Sequence, residues 1–375
     1  MLFYAMDICF TNNIIMKSAI LIGALLFASA ISGPVIPEKS LKINSYNKKK
    51  QHRKAPKKVY INSFRALFEV YEEAEARTSS SKKERANRTT FSSGTVTKLG
   101  VQISGVDVAD FQGIINEAYA KFTKQLKDEG YEILTADDAE SMELFKGWTK
   151  VEGGASSDAQ AKGFVMVTPQ DFNYMVKGVS NKGREKGTFQ DRGPEISKEM
   201  GDVYVADVNF IFPFVTLDPN SSRWKNSSSV KADIEYRIEP FMNTGKVNQQ
   251  TSLTSFAKGM ASAGASSQIE SKVRFQSGKD IVGNNPLFDA NVTLKKPVSF
   301  EGVFADKKIV ETTKAESDMF EKTAYATLVM VSDDKKTVTS HFAKCNKDQY
   351  VAAATASMDE MMDASIRNFR EMTTK

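Results

Sequence analysis

Two histidines, His52 and His341, and two cysteines, Cys9 and Cys345, are all the imidazole and thiol chemistry available to these 375 residues. A metal centre or a catalytic triad built on histidine would need His341, because His52 stands in a stretch rich in Lys and Pro. His341 and Cys345 are close in sequence, but they leave a strand pattern rather than share a helix face, and no third group is signalled. A nucleophilic pair needs the base within hydrogen-bond reach of the sulfur, so the expectation is a packed or surface pair. Gly178 to Arg184 imitates the first part of a phosphate-binding loop. The motif requires Lys-Ser/Thr at the second glycine, and Arg184-Glu185 stands there instead. Asp137-Asp138 and Asp333-Asp334 are adjacent carboxylates, whereas metal or acid–base work needs carboxylates that converge from separate elements. The first pair reads as a helix cap and the second as a turn. Four Asn-X-Ser/Thr triplets begin at Asn87, Asn220, Asn226 and Asn291, a short pattern that has meaning only in a eukaryotic secretory route. The expectation is therefore no catalytic residue, no metal and no cofactor.

Charge is placed unevenly. From Lys39 to Lys58 there are nine basic residues and no acid, so removing them from the net +5 leaves −4 for the rest. Lys48, Lys49, Lys50, Arg53 and Lys54 are the candidate contacts to an anionic surface such as lipid headgroups or surface polymers. The competing reading is a solvated linker whose charge serves solubility. Residues 31–57 also hold Pro34, Pro37 and Pro56, which predicts a flexible segment.

The N-terminus reads as an export signal that starts at Met16. Lys17 precedes the apolar run Ala19 to Phe27, and Ala28-Ser29-Ala30 is an A-x-A cleavage pattern. The run falls short of the roughly 20 residues that span a bilayer, and no later segment is apolar enough for a transmembrane helix. No cysteine follows the cleavage pattern, so a lipid anchor is not expected. With Cys9 in the removed part, the mature chain keeps one thiol and no internal disulfide. The expected location is periplasmic or secreted.

Periodicity then gives the elements. Val59 to Phe64 is a strand, and Phe111, Ile114, Ile115, Ala118, Phe122 and Leu126 make one face of a helix from about Asp110 to Glu129. Gly130 ends it, and Tyr131 to Leu134 starts the next strand. Thr78 to Thr95 reads as a long exposed loop, and Val96 to Val106 as an extra edge strand. Thr135 to Asp138 opens a helix through Phe145 to Gly147, Phe164 to Val167 is a short strand, and Thr168 to Asp171 opens a helical turn. Gly178 to Gly201 is polar and glycine-rich.

After residue 200 the period changes from 3.6 to 2. Tyr204 to Phe212 and Val230 to Ile238 read as half-buried strands, with Asp207 and Asn209 on the solvent face of the first. Asp218 to Ser229 reads as a long hairpin loop. Ile269 to Phe275, Val298 to Phe304, Thr323 to Val331 and Thr337 to Phe342 are further strands, and Ser252 to Ser267 carries no pattern. A helix from about Asp348 to Met372 closes the chain, with Met358 and Met362 in its stripe. The class is α+β: a mixed, mainly antiparallel sheet packed by helices, with a long C-terminal helix. Residues 58–200 form an α/β layer and 201–375 a strand-rich part continuous with it.

Several of these stretches resemble a family of bacterial envelope domains. They are the first strand Lys58-Val59-Tyr60-Ile61-Asn62-Ser63-Phe64, the helix end Leu126 to Ile133, Gly201-Asp202-Val203-Tyr204-Val205, and Thr244-Gly245-Lys246-Val247. Together they look like the N-terminal α/β domain of the Tol-system propeller protein and the periplasmic domain of the curli-secretion channel. The resemblance covers about residues 58 to 250 and implies a helix-backed sheet with no catalytic positions. This chain departs from it in its longer first strand-to-helix connection and in lacking a lipid-accepting cysteine.

The function expected is that of an exported cell-envelope protein acting by binding or assembly. Its partners would be envelope proteins or anionic surface polymers, with no specific nucleic acid, and a homo-oligomer is compatible. Two other classes stay open: an envelope hydrolase or transferase with a site assembled from scattered Asp, Glu, Ser and Lys, and an oligomeric secretion-pore subunit.

Overall fold

The computed structural model describes residues 36–47, 55–79, 81–85, 88–92, 94–187, 191–222, 225–243, 268–281, 284–314, 317–321 and 335–374. The chain runs through β1 (Leu41–Asn47), β2 (Lys58–Glu69), β3 (Tyr71–Thr78), β4 (Ser81–Arg85), β5 (Arg88–Ser92) and β6 (Thr95–Ser104). Helix α1 (Val108–Asp128), β7 (Glu132–Leu134), the short α2 (Ala136–Ala139), β8 (Phe164–Val167) and α3 (Gly193–Glu199) follow. Next come β9 (Tyr204–Phe212), β10 (Val215–Ser222), β11 (Ser227–Ile234), β12 (Lys272–Lys279) and β13 (Pro286–Leu294). The last elements are β14 (Lys308–Lys314), β15 (Ser317–Glu321), β16 (Lys335–Lys344) and α4 (Lys347–Thr374).

A central sheet has the order β1-β13-β12-β9-β2-β7. The pairs β9–β2 and β2–β7 are parallel and the others antiparallel. Strand β8 pairs the far half of β2 beyond β7. The fold class is α+β with mainly antiparallel pairing, as the change of period implies.

Helix α1 begins where Asp107 and Asp110 cap each other's backbone in a capping box. It buries Phe111, Ile114, Ile115, Ala118, Phe122 and Leu126, the six positions that its 3.6-residue period picks out. Gly130 follows at φ +83°, a left-handed conformation that glycine adopts freely. Helix α4 lies beside α1 on the same face of the sheet. It buries Met358, Met361 and Met362 with Tyr350, Ile366 and Phe369, so the methionine stripe is core. Phe68 of β2 holds the two layers together. It stacks on Phe111 at 4.5 Å and on Phe212 at 5.2 Å, with Tyr350 of α4 at 6.3 Å.

The other face of this sheet is also covered, and beside the apolar Tyr60, Leu67, Val205 and Ile211 it carries a polar group of residues. Ser63, Arg65, Asp207, Asn209, Gln276 and Asp289 are all buried. Asp207 and Asn209, expected toward solvent, therefore lie inside, because β9 is buried along its whole length. Internal partners make the burial of the two carboxylates tolerable. Asp207 accepts from Asn62 at 2.8 Å and Ser63 at 3.0 Å. Arg274 holds Asp289 through two nitrogens at 2.9 and 2.7 Å and Asp191 at 2.6 Å. The guanidinium of Arg65 lies 5.7 Å from the centre of the Tyr174 ring. Helix α3 packs over β12 and β9, and Ser197 of α3 donates to the Val203 carbonyl and accepts from the Gly278 N–H.

The largest departure from expectation is an arm. Neighbours β2 and β9 both run on past the sheet, across Val70 and across Pro213-Phe214, into two different three-stranded sheets. These have the orders β3-β6-β16 and β10-β11-β14 and pack face to face. Thr78 to Thr95 is therefore no loop but the outer part of a hairpin, with β4 pairing β5 and β5 pairing β15. The hairpin rises about 26 Å along the eight residues of β3 alone, at roughly 3.3 Å per residue. Its Ser, Thr, Lys and Arg composition has little to bury and so gives no apolar signal. Backbone pairing and β-branched threonines form the strands all the same.

The same reason corrects other readings. Asp218 to Ser222 is strand rather than loop, pairing Lys231 down to Ser227, with Pro219 on an edge strand where its missing N–H costs no ladder bond. Strand β6 lies inside its sheet, between β3 and β16, and not at an edge. Helix α2 is a single turn followed by a 3-10 turn at Glu143–Phe145. Thr168 to Asp171 makes a turn only. Leu41–Asn47, inside the stretch read as linker, is an edge strand on β13. Thr323 to Val331 and Ser252 to Ser267 lie outside the described residues.

Candidate interaction surface

At the base of the arm, Glu69 ends β2 with 4% exposure. Its Oε2 accepts from the N–H groups of Phe214 at 2.8 Å and Val215 at 3.2 Å, where β9 passes into β10. One carboxyl thus ties together the two strands that leave the central sheet. Burial pushes it up to about 8, with Glu72 adding to the rise, while the two N–H groups and Arg237 oppose it. Burial raises Glu72 as well, against Arg237 and Lys162.

The native state therefore binds the Glu69 proton more tightly than the unfolded chain. Its stabilising share is complete below the unfolded value of 4.5 and is lost as pH rises through about 8. The melting midpoint should fall by roughly 2 °C or more across that window, the scale of 1 kcal/mol in a chain this large. Glu69→Gln keeps an oxygen for the two N–H groups and should flatten the slope. An unchanged slope in the variant would remove Glu69 from the account.

Inside, the arm changes character along its length. Near the base Leu99, Val101, Val215, Val230 and Ile234 are buried. Toward the tip the interior is hydroxylic. Thr97 Oγ1 lies 2.7 Å from Thr313 Oγ1 and 2.9 Å from the Ser228 carbonyl and hydroxyl. Thr78 and Thr95 share a 2.8 Å contact between their hydroxyls.

The outer rim inverts the usual alternation. Strand β16 pairs β6 in parallel and is the edge of its sheet, and β14 is the edge of the other, lying beside it. In β16 the sheltered positions are Thr337, Thr339, His341 and Ala343, while Lys336, Val338, Ser340, Phe342 and Lys344 are exposed. Val338 is 59% exposed and Phe342 61%, and Val310 on β14 is 55% exposed. A half-buried strand ordinarily points its apolar residues to the core. On β16 Thr337, Thr339, His341 and Ala343 point in and the large apolar groups point out, while on β14 Ile309 packs inward and Val310 points out. Apolar side chains held outward on two adjoining edge strands mark a contact surface more strongly than any one of them does.

The residues singled out from sequence fall elsewhere. Lys48, Lys49, Lys50, Arg53 and Lys54 lie outside the described residues. Of their basic neighbours, Lys57 donates to the Glu129 carbonyl at 3.3 Å, and Lys58 pairs with Glu132 at 3.0 Å. His341 sits 3.6 Å from Asp306, and Cys345 is buried, its thiol pushed up to about 11 by burial. That state disfavours the thiolate a nucleophile needs. Gly178 to Lys186 is a two-stranded turn in which Val179 pairs Glu185. Thr135 N–H donates to Asp138 at 2.8 Å, so that carboxylate caps a helix. Among the described residues no three His, Cys, Asp or Glu side chains gather as a metal site would need, and no helix is long and apolar enough to cross a membrane. A shallow groove of about 350 Å³ between α1 and α4 is lined by Gln125, Glu129, Asp363 and Arg370. Its charges are already engaged, Gln125 with Asp363 at 2.7 Å and Arg370 with Glu129 at 3.1 Å. The rim was missed because β14 carries no strand signal and the alternation from Thr337 to Phe342 does not say which face looks outward.

Compared with protein-family models, curated proteins and solved structures, the chain matches none.

Proposed function

We propose that this chain is an exported cell-envelope protein that works by binding or assembly, with the two-sheet arm as its contact surface and the helix-backed sheet as its scaffold. The outward apolar residues of the rim carry this reading. The central sheet is covered on both faces, whereas the arm leaves Val310, Val338 and Phe342 uncovered. The export pattern from Met16 to Ala30 supports a periplasmic or secreted location for such a surface, with the mature protein beginning at Ile31. The resemblance to Tol-propeller and curli-channel domains belongs with the same reading, since those are helix-backed sheets that serve assemblies.

Shortening the arm tests this. Thr78 and Thr95 face each other across the hairpin, so an Asn-Gly turn can join them and replace residues 79–94. The shortened protein should keep a cooperative melt and helical circular dichroism, because α1, α4 and the central sheet are untouched. In cells producing the chain with its own N-terminus, the shortened protein that also carries Val338→Ser and Phe342→Ser should be lost from the envelope fraction that retains the full-length protein, because shortening alone leaves the rim strands in place. Retention equal to the full-length chain would count against the arm.

A further inference from the structure

We propose that the outer rim of the arm, β16 with β14 beside it, docks on an anionic lipid surface; this rests on the binding reading above and names the partner. The inverted alternation means that something apolar covers Val338 and Phe342 in the working state. Each outward apolar group is bracketed by lysine: Lys336 and Lys344 on β16, Lys308 and Lys314 around Val310 on β14. All four lysines are exposed, and none has a carboxylate partner among the described residues. Between them the outward positions Thr312 and Ser340 are neutral.

Lysine on an edge strand can serve merely to prevent edge-to-edge pairing. That purpose is defeated when Val and Phe are set outward between the lysines. Lysine stems with a phenyl ring and aliphatic groups between them suit the headgroup boundary, where apolar groups enter and ammonium groups stay among phosphates.

Charge also decides against the other partners. A second copy would have to offer free carboxylates, and among the described residues of the two sheets the exposed acid without an ion pair is Asp218, on the opposite edge strand β10. Glu73 is held by Lys98 at 2.9 Å and Lys162 at 3.2 Å, Glu75 by Arg77 at 2.8 Å, and Asp233 by Lys231. Nucleic acid is read chiefly by arginine, with its planar fork for phosphate and base edges. From 308 to 344 the chain has no arginine.

The test uses the mature full-length chain and flotation with vesicles of phosphatidylglycerol and phosphatidylcholine, or of phosphatidylcholine alone. Three variants accompany it: Val338→Ser with Phe342→Ser, Lys336→Ser with Lys344→Ser, and Lys48, Lys49 and Lys50 all to Ser. The rim positions are exposed, so melts should match the unaltered chain. Binding to the anionic vesicles should be salt-sensitive and fall about tenfold or more in either rim variant. It should be absent on phosphatidylcholine alone and persist in the variant of the basic stretch. Rim variants that float like the unaltered chain, or loss confined to the basic-stretch variant, would overturn the proposal. Absent vesicle binding, together with concentration-dependent self-association that Phe342→Ser abolishes, would assign the rim to a second copy. That result leaves the binding reading intact. No vesicle binding, no self-association and no rim cross-links in cells would remove both readings.

Discussion

Phe68→Ala should lower the unfolding free energy by about 3–5 kcal/mol, the usual scale for truncating a fully buried phenyl ring. The ring has no exposed surface and lies between Phe111 of α1 and Phe212 of β9, with Tyr350 of α4 at its edge. Its removal opens a cavity where both helices meet the two strands that continue into the arm. Neighbours fixed on four separate elements cannot collapse into that space. The urea midpoint should drop with the slope unchanged. Phe342→Ala, the same chemical change at the rim, should alter stability by less than about 0.5 kcal/mol, as exposed sites do. Equal costs at the two positions would mean that the rim is part of the fold and not a surface held ready for a partner.

Arg274→Ala should cost about 3–5 kcal/mol, because it leaves Asp289 buried without its cation. Arg274 is only 14% exposed at its side chain, and Asp289 11%. The two-pronged contact also reaches Asp191, which Gln276 supports at 3.2 Å. Changing Arg274 and Asp289 together to Leu should cost less than the single change, since removing both partners leaves no buried charge unpaired. Chemical denaturation of the three proteins supplies the comparison. A double variant no more stable than Arg274→Ala would show that the pair is not what this face depends on.

How much was legible depends on whether apolar side chains mark the element. Helix α1 was read to within two residues of its ends, and all six stripe positions are buried, because one apolar face repeats over five turns. The C-terminal helix was legible for the same reason. Strand β9 was found, but its polar face was placed in solvent, since an isolated strand cannot show that Asn62 and Ser63 stand on the neighbouring strand to pair with Asp207. The arm escaped because its strands near the tip are Ser, Thr and Lys, and polar strands differ from polar loops only in backbone pairing across more than a hundred residues. Strand β6 pairs β16 over Lys335 to Lys344, a contact that local sequence does not encode. The rim itself was half visible: Thr337 to Phe342 was read as a strand, but its alternation does not say which face looks outward. That sign is set by the hydroxyls of Thr97, Ser228 and Thr313 meeting inside the arm.

A photo-reactive side chain placed at position 342, at position 338, or at the remote exposed Val179 in separate full-length proteins tests the central claim most directly. Val179 is 48% exposed and lies on the turn Gly178 to Lys186, which belongs to neither sheet of the arm. After irradiation of producing cells, adducts to envelope components should form from 338 and 342 and not from 179. Adducts from 179 alone, or equally from all three positions, would contradict an arm whose rim is the contact surface.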